Sequence, residues 1–217
     1  MKIMRLILST FLCIFFVMPM QVHCETNDKE KIILIDPGHG GIDGGAQSRN
    51  GTIEKNINLE ISLKLRESLK NQGYTVCMTR EEDKELNEKK VEDLSLRCKM
   101  KESTKCDVFI SIHQNMFAQT KCYGAQVWHA NNDLSKLLAD HVQNSIKECV
   151  NDKNKRIAKC AKSEYKILRD GYNGASIIVE CGFLSNNEEE AKLKTEEHQN
   201  KIVDGITKGI NNYFQEK

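Results

Sequence analysis

Two histidines in this sequence stand where apolar runs end. His39 follows the run 32–35 and lies among glycines in the stretch Asp-Pro-Gly-His-Gly-Gly, and His113 ends the run 106–113. Apolar runs of this length are typical of buried strands. Because ligands of open α/β sheets collect at the carboxyl ends of the strands, both imidazoles are candidates for chemistry. A histidine in a glycine-rich loop is often only a turn residue, so His39 alone does not decide the question.

Two glutamates occupy comparable positions. Glu180 ends the apolar run 176–180, and Glu54 opens a helical pattern soon after the loop of His39. Two histidines and one glutamate, with a fourth position open, are a known ligand set for catalytic zinc. The other glutamate would then be free to act as a base. Glu54 also has a simpler explanation, because a helix dipole stabilises a carboxylate in its first turn by about 0.3–1 kcal/mol.

Four motifs in one order resemble a known enzyme family. They are IDPGHGGIDGGA, the early Glu54, SIHQN and VECGFLSN. Together they resemble the zinc-dependent N-acetylmuramoyl-L-alanine amidases (the amidase-3 family), from about residue 31 to the C-terminus. The combination of SIHQN, YGAQVW and VECGFLSN is most similar to the germination-specific amidases of the spore cortex. The resemblance implies a zinc hydrolase that cleaves the amide bond between N-acetylmuramic acid and L-alanine in peptidoglycan, in spore-cortex modification or wall remodelling.

The same resemblance implies a role for each of the four polar residues. His39, Glu54 and His113 would bind Zn²⁺, with water in the fourth position, and Glu180 would be the catalytic general base. The neighbouring Cys181 is left out of the site, because successive side chains of a strand point to opposite faces.

A flexible glycan–peptide substrate implies an open groove around these residues. Asn115, Arg80 and Trp128 are the candidates to line this groove. Trp128 is the only tryptophan, and stacking on sugar or peptide is as good an explanation for it as a core or edge-strand role. The short connection between Asn115 and Gly124 leaves little room for an occluding helix.

Two other functions would use similar features. A zinc carboxypeptidase acting on wall stem peptides would need a clamp for a terminal carboxylate, and no arginine can be assigned to it. A non-catalytic wall-binding protein on the same fold would not need all four site residues, and all four are present. Peptidoglycan is the expected partner throughout, and an unidentified exported helper protein is a second candidate partner.

Composition and the N-terminus restrict the class of protein. The chain has 217 residues and a formal net charge of +1, which argues against a nucleic-acid binder. Lys2 and Arg5 precede the apolar segment 6–18, which is too short for a comfortable membrane span. We therefore predict a signal peptide over 1–24, with an uncleaved anchor as the alternative. A short linker, 25–30, and one catalytic domain, 31–217, would follow, acting outside the cytoplasm in the cell wall or the spore-cortex space.

The cysteines are predicted to be mostly reduced, structural thiols. Of nine cysteines, seven lie beyond residue 24, which is an odd number for a disulfide framework. Free cysteine in an apolar strand behaves as a small hydrophobe. Cys149 and Cys160 are the one candidate pair.

The elements that must position the site alternate between strands and helices. This alternation predicts one α/β domain, with a largely parallel twisted sheet flanked by helices on both faces. The predicted strands are 32–35, 74–79, 106–113, 124–129, 165–168 and 176–180; the helices are 54–69, 94–104, 134–149, 187–194 and 197–214; and 151–161 is a loop.

Overall fold

The computed structural model describes residues 30–217, and within them six strands form one sheet. In chain order these are β1 (Ile32–Pro37), β2 (Thr75–Met78), β3 (Val108–Asn115), β4 (Gln126–His129), β5 (Lys159–Cys160) and β6 (Ala175–Phe183). Their order across the sheet is β2-β1-β3-β6-β4-β5. β4 runs antiparallel to β6, and the other neighbouring pairs are parallel. The prediction of a largely parallel α/β sheet is confirmed.

Helices cover both faces of this sheet. They are α1 (Glu54–Asn71), α2 (Lys90–Thr104), α3 (Asp133–Val150), α4 (Asn187–Leu193) and α5 (Glu196–Glu216). α1, α3 and α5 pack on one face, in a core that includes Ile61, Val142 and Ile206. α2 packs on the other face with a 3-10 helix (Lys166–Leu168), around a smaller core that includes Phe109.

The periodicity of α1 sets the position of its first residue. Ile57, Ile61, Leu65 and Leu69 recur every four residues, and all four are buried against the sheet. A stripe of this spacing fixes which side of the helix faces the core. Glu54, one turn before Ile57, is therefore held beside the sheet rather than in solvent.

The parallel strands bring distant parts of the chain to one edge. β1, β3 and β6 run in the same direction, so their carboxyl ends lie side by side. In the register of the sheet, Pro37 pairs with Ile112, and His113 pairs with Glu180. The loop of His39, the end of β3 and the end of β6 are consequently neighbours.

Alternation along β6 separates Glu180 from Cys181. Val179 and Cys181 belong to the larger core, whereas Ile178 belongs to the smaller core on the opposite face. Glu180 shares the face of Ile178, because side chains two residues apart point the same way. Cys181 therefore faces away from the site, as predicted.

Two predictions of local structure are wrong. Residues 165–168, predicted as a strand, form the 3-10 helix, because Ile167 and Leu168 are both buried and a strand would turn one of them outward. The predicted loop 151–161 contains β5, which pairs with Trp128 and His129 of β4. β5 is a short edge strand with an exposed face, so its sequence is polar and does not show the apolar pattern of a buried strand.

Other predictions concern the N-terminus and the thiols. The predicted signal peptide, 1–24, lies outside the described residues. None of the helices among residues 30–217 combines the length and the hydrophobicity of a membrane-spanning segment. The seven cysteines of this region are free, so the candidate pair Cys149–Cys160 is not formed.

Candidate metal centre

The loop that carries His39 begins where β1 ends. The N–H of Gly38 donates to the carbonyl of Ile112 on β3 at 3.0 Å, which keeps the chain close to the sheet. A side chain at Gly38 would meet the His113 ring at 2.3 Å, so only glycine allows the two histidines to approach. His39 itself adopts a positive φ of 61°, a conformation that turns the loop sharply.

Arg97 of α2 holds this loop by hydrogen bonds to its backbone. Its guanidinium donates to the carbonyl of His39 at 2.9 Å and to that of Pro37 at 3.0 Å. Asp36 and Asp93 each accept from Arg97 at 2.6 Å. Burial lowers the pKa of Arg97, but the two carboxylates outweigh it and raise that pKa above its usual range. The buried charge is thus paired while its remaining donors hold the backbone at His39.

Arg80 also hydrogen-bonds to the backbone of this loop, and it does not lie in the substrate groove where it was expected. It is 2 % exposed, and it donates to the carbonyls of Pro37 and Gly38 at 3.0 Å and of Lys55 at 3.1 Å. A guanidinium committed to these acceptors is not available to a substrate. The prediction that Arg80 lines the groove is corrected: Arg80 supports the loop, because its long side chain reaches inward from the end of β2.

Glu54 stands at the centre of the cluster. Its Oε2 accepts the N–H of Ala46 at 2.8 Å, and its Oε1 accepts the N–H of Gln114 at 3.1 Å. The same oxygens lie 3.3 Å from His39 Nε2 and 2.9 Å from His113 Nδ1, respectively. Burial would raise the pKa of Glu54, but hydrogen bonds and charge from both histidines hold that pKa well below its usual range. The carboxylate is therefore ionised and aimed between the imidazoles.

These three residues fit a divalent metal by donor type and by distance. One ligand atom from each of His39, Glu54 and His113 lies within 4.8 Å of the other two. Ligand atoms of a tetrahedral zinc site are about 3.4 Å apart, given zinc–ligand distances of about 2.1 Å. His39 Nδ1 lies 3.0 Å from Asp43 Oδ2, which leaves Nε2 to face the cluster. A carboxylate on the second ring nitrogen is the usual support of a metal-binding histidine.

Glu180 adjoins this cluster without taking part in it. Its side chain lies on the strand next to His113, in register, and is 8 % exposed. Among residues 30–217, nothing donates a hydrogen bond to its buried Oε2. Burial raises the pKa of Glu180 to about 7, although the nearby His113 lowers it. A carboxyl group in this state can exchange a proton near neutral pH.

Asn115 and Trp128 lie on either side of the strand that carries Glu180. Asn115 is half-buried at the end of β3. Trp128 is half-buried on the same face as Glu180, with its ring 5.8 Å from that of Tyr165. Trp128 thus contributes to the smaller core and keeps part of its surface open.

Sequence reasoning did not identify Asp43 and Arg97. Asp43 lies four residues after His39 inside the motif IDPGHGGIDGGA, and that spacing was the available signal. Arg97 interrupts the apolar side of the helix after Leu94, and a charge there indicates a buried partner. No local sequence pattern identifies that partner, because Asp36 lies 61 residues away in the chain.

Comparison with known proteins agrees with this geometry. Residues 33–212 match the family described as N-acetylmuramoyl-L-alanine amidase. The germination-specific N-acetylmuramoyl-L-alanine amidase of Bacillus subtilis (strain 168) is 35% identical over 86% of this chain and 81% of its own length.

Solved structures show the same likeness. The CwlD amidase from Clostridioides difficile, determined in complex with the GerS lipoprotein, superposes with a TM-score of 0.83 at 38% identity, covering 87% of this chain and 100% of that one. An N-acetylmuramoyl-L-alanine amidase from Clostridium difficile 630 gives a TM-score of 0.77 at 31% identity, covering 87% of this chain and 98% of that one. With the cluster of His39, Glu54 and His113 at its sheet edge, the chain belongs to the N-acetylmuramoyl-L-alanine amidase family of enzymes.

Proposed function

We propose that this enzyme hydrolyses the amide bond between N-acetylmuramic acid and L-alanine in peptidoglycan, with zinc held by His39, Glu54 and His113 and with Glu180 as general base. One observation carries the proposal: Glu180, whose buried Oε2 has no hydrogen-bond partner among residues 30–217, lies in register beside a cluster of three metal-type ligands. Membership of the family supports the choice of bond, and the geometry supports the proposed roles of the four residues.

The chemistry divides between the ion and the chain. When bound, the ion supplies polarisation of the amide carbonyl and acidification of a water molecule. Glu180 accepts a proton from the attacking water as the new carbon–oxygen bond forms, and then returns a proton to the nitrogen of L-alanine as the carbon–nitrogen bond breaks. The products are a lactyl carboxylate and a free amino group.

The surroundings of the two glutamates support this division of roles. Glu54 is held ionised by His39 and His113, as a ligand must be. Burial raises the pKa of Glu180 to about 7, and a group that both accepts and donates a proton at neutral pH requires such a pKa.

Digestion of purified peptidoglycan tests the reaction. The expected product is wall with new L-alanine amino ends, detected by labelling and hydrolysis of the glycan–peptide polymer. Release of D-alanine would instead indicate a carboxypeptidase. Binding of wall without either product would indicate a non-catalytic protein.

The cortex of the spore is the substrate that we propose. The relative in Bacillus subtilis is named a germination-specific amidase, and it aligns with most of this chain. Cortex and vegetative peptidoglycan from the same spore-forming organism, digested at equal concentration, provide the test. Preference for vegetative wall would oppose this assignment.

We also propose an exported enzyme that works with a partner lipoprotein. The similar amidase from Clostridioides difficile was determined in complex with a lipoprotein, which motivates a search for an equivalent partner by co-purification. For export, we propose that 1–24 is a signal and 31–217 the catalytic domain. Removal of 1–24 should leave a folded, zinc-binding enzyme, and recovery only as aggregate would contradict this boundary.

A further inference from the structure

We propose that a basic groove beside Glu180 binds the carboxylates of the peptidoglycan stem peptide, an inference that rests on the function proposed above. The basic groove has a volume of about 410 Å³ and is bordered by four cationic residues, Lys121, Lys155, Arg156 and Lys159. No aspartate or glutamate of the described chain lines it. The inference adds a substrate contact that lies apart from the metal cluster.

The basic groove begins one strand away from the proposed base. Gln126 of β4 lines the groove and is the register partner of Glu180 on β6. Adjacent strands are about 4.8 Å apart, so a peptide leaving the scissile bond reaches the groove within its next residues. Lys159 extends the groove along β5, with its ammonium group 5.7 Å from the Trp128 ring.

Within the described chain, the four cations of the basic groove form no ion pair, unlike several other lysines. Lys55, Lys136 and Lys208 each have a carboxylate at 2.7 Å. Within residues 30–217, no carboxylate lies within 4.0 Å of the cationic groups of the basic groove, and the nearby Glu189 instead accepts the backbone N–H groups of Gly124 and Phe183. Positive charge concentrated in this way attracts an anionic ligand even though the whole chain carries a net charge of only +1.

The wall of the basic groove is fixed before any ligand arrives. Asn154 donates to the carbonyl of Ala125 at 2.9 Å and accepts the N–H of Arg156 at 3.0 Å. Arg156 in turn donates to the carbonyl of Tyr123 at 2.9 Å, and its guanidinium lies 4.7 Å from the Phe183 ring. A site that is already ordered loses less entropy when a peptide binds.

The charge beside His39 favours entry of the acidic end of the substrate into the basic groove. A cavity of about 220 Å³ beside His39 is bordered by four carboxylates, those of Asp43, Glu85, Glu88 and Asp93, and by two cations, Lys90 and Arg97. Arg97 is paired with Asp93, and the other three carboxylates outnumber Lys90, so this cavity favours an acidic peptide less than the basic groove does. The glycan around the scissile bond is uncharged. A stem peptide that carries free carboxylates would therefore lie in the basic groove, and the glycan on the side of His39.

Binding of two matched peptides to zinc-loaded protein tests the inference. One probe is a fluorescent L-Ala–D-Glu–diaminopimelate peptide with free carboxylates, and the other is its carboxamide counterpart. The variant Lys155→Gln/Lys159→Gln removes two charges from the basic groove. Its matched control, Lys70→Gln/Lys99→Gln, removes two exposed charges from helices elsewhere.

The carboxylate peptide should bind the wild type and the control equally. The groove variant should bind it about two- to thirtyfold more weakly, since each exposed ion pair contributes up to about fivefold. The carboxamide peptide should bind all three proteins with the same lower affinity. On wall substrate, the loss in the groove variant should appear mainly in KM.

Three results would overturn the inference: equal binding of the two peptides by the wild type, unchanged binding of the carboxylate peptide by the groove variant, or preference of the groove for a polyglycerol phosphate polymer over the peptide. Because binding is measured without turnover, it is independent of the proposed reaction. A protein that discriminates the peptides but cleaves no wall refutes the function and retains the groove.

Discussion

Glu54 and Glu180 have the same side chain in opposite surroundings. Glu54 accepts backbone N–H groups and faces two imidazoles, whereas the buried Oε2 of Glu180 accepts nothing within the described chain. Histidine contacts hold the pKa of Glu54 well below its usual range despite burial, and burial raises the pKa of Glu180 to about 7. Environment, rather than residue type, thus separates the proposed ligand from the proposed base.

The same substitution at both glutamates tests this separation. Glu180→Gln removes a proton acceptor, so turnover should fall by about 100- to 10,000-fold while zinc stays bound. Glu54→Gln weakens a metal bond, so zinc content should fall and added zinc should restore part of the activity. Elemental analysis with kinetics measures both effects. Zinc lost from Glu180→Gln but retained in inactive Glu54→Gln would reverse the assignment.

Gly38 is predicted to be essential for a steric reason. In Gly38→Ala the new methyl group would lie 2.3 Å from the His113 ring and displace that imidazole. Zinc affinity should therefore fall about tenfold or more, as it does when a ligand is misplaced. Gly44→Ala is the control, because its nearest neighbour, Ile53, lies at 3.3 Å and can yield slightly. Equal zinc affinity in both variants, measured by competition with a chelating dye, would exclude this explanation.

At the scale of elements, α2 supports a loop that belongs to β1 and α1. Arg97 is the connection, since it is paired with Asp36 under the sheet edge and donates to the carbonyl of His39. Packing of α2 against the smaller core holds the arginine in place. The position of a metal ligand therefore depends on a helix that contributes no ligand.

A charge-conserving substitution tests this dependence. Arg97→Lys keeps one positive charge but cannot reach the carboxylates and both carbonyls together. Zinc affinity should fall about 10- to 100-fold, as for the loss of a group that orients a metal ligand. Arg66→Lys is the control, because Arg66 pairs with exposed Glu67 and Glu81. If both variants bind zinc like the wild type, with circular dichroism unchanged, α2 has no part in positioning His39.

At the scale of the whole molecule, the candidate ligands join separate parts of the fold. His39 lies in a loop, Glu54 at the start of α1 and His113 on β3. The unfolded chain cannot hold these groups together, so zinc binding should stabilise the folded state.

Calorimetry with and without zinc tests this coupling. At a free zinc concentration 100 times the dissociation constant, the free energy of unfolding should rise by about 2.7 kcal/mol, and Tm should rise with it. His113→Ala should lose most of the increase, whereas His198→Ala should keep it, since His198 lies on α5 away from the cluster. The same Tm for wild type in zinc and in chelator would contradict a shared site.

The sequence by itself determined the elements with strong periodicity and the four residues at their ends. The apolar runs of β1, β3 and β6 and the four-residue spacing of α1 are local patterns, and burial enforces them. Because parallel strands end at one edge, His39, His113 and Glu180 could be placed together without coordinates. The family motifs added the expectation of zinc and of an amide substrate.

Only the tertiary structure decided how these residues are supported. Arg80 and Arg97 bind carbonyl groups 42 and 58 residues away, and no local pattern encodes such partners. The edge strand β5 and the 3-10 helix depend on pairing with β4 and on burial beneath α2, which override weak local preferences. The basic groove likewise exists only because folding brings Lys121 beside Lys155 and Lys159. Long-range contacts set these features, since a side chain's role depends on what lies opposite it.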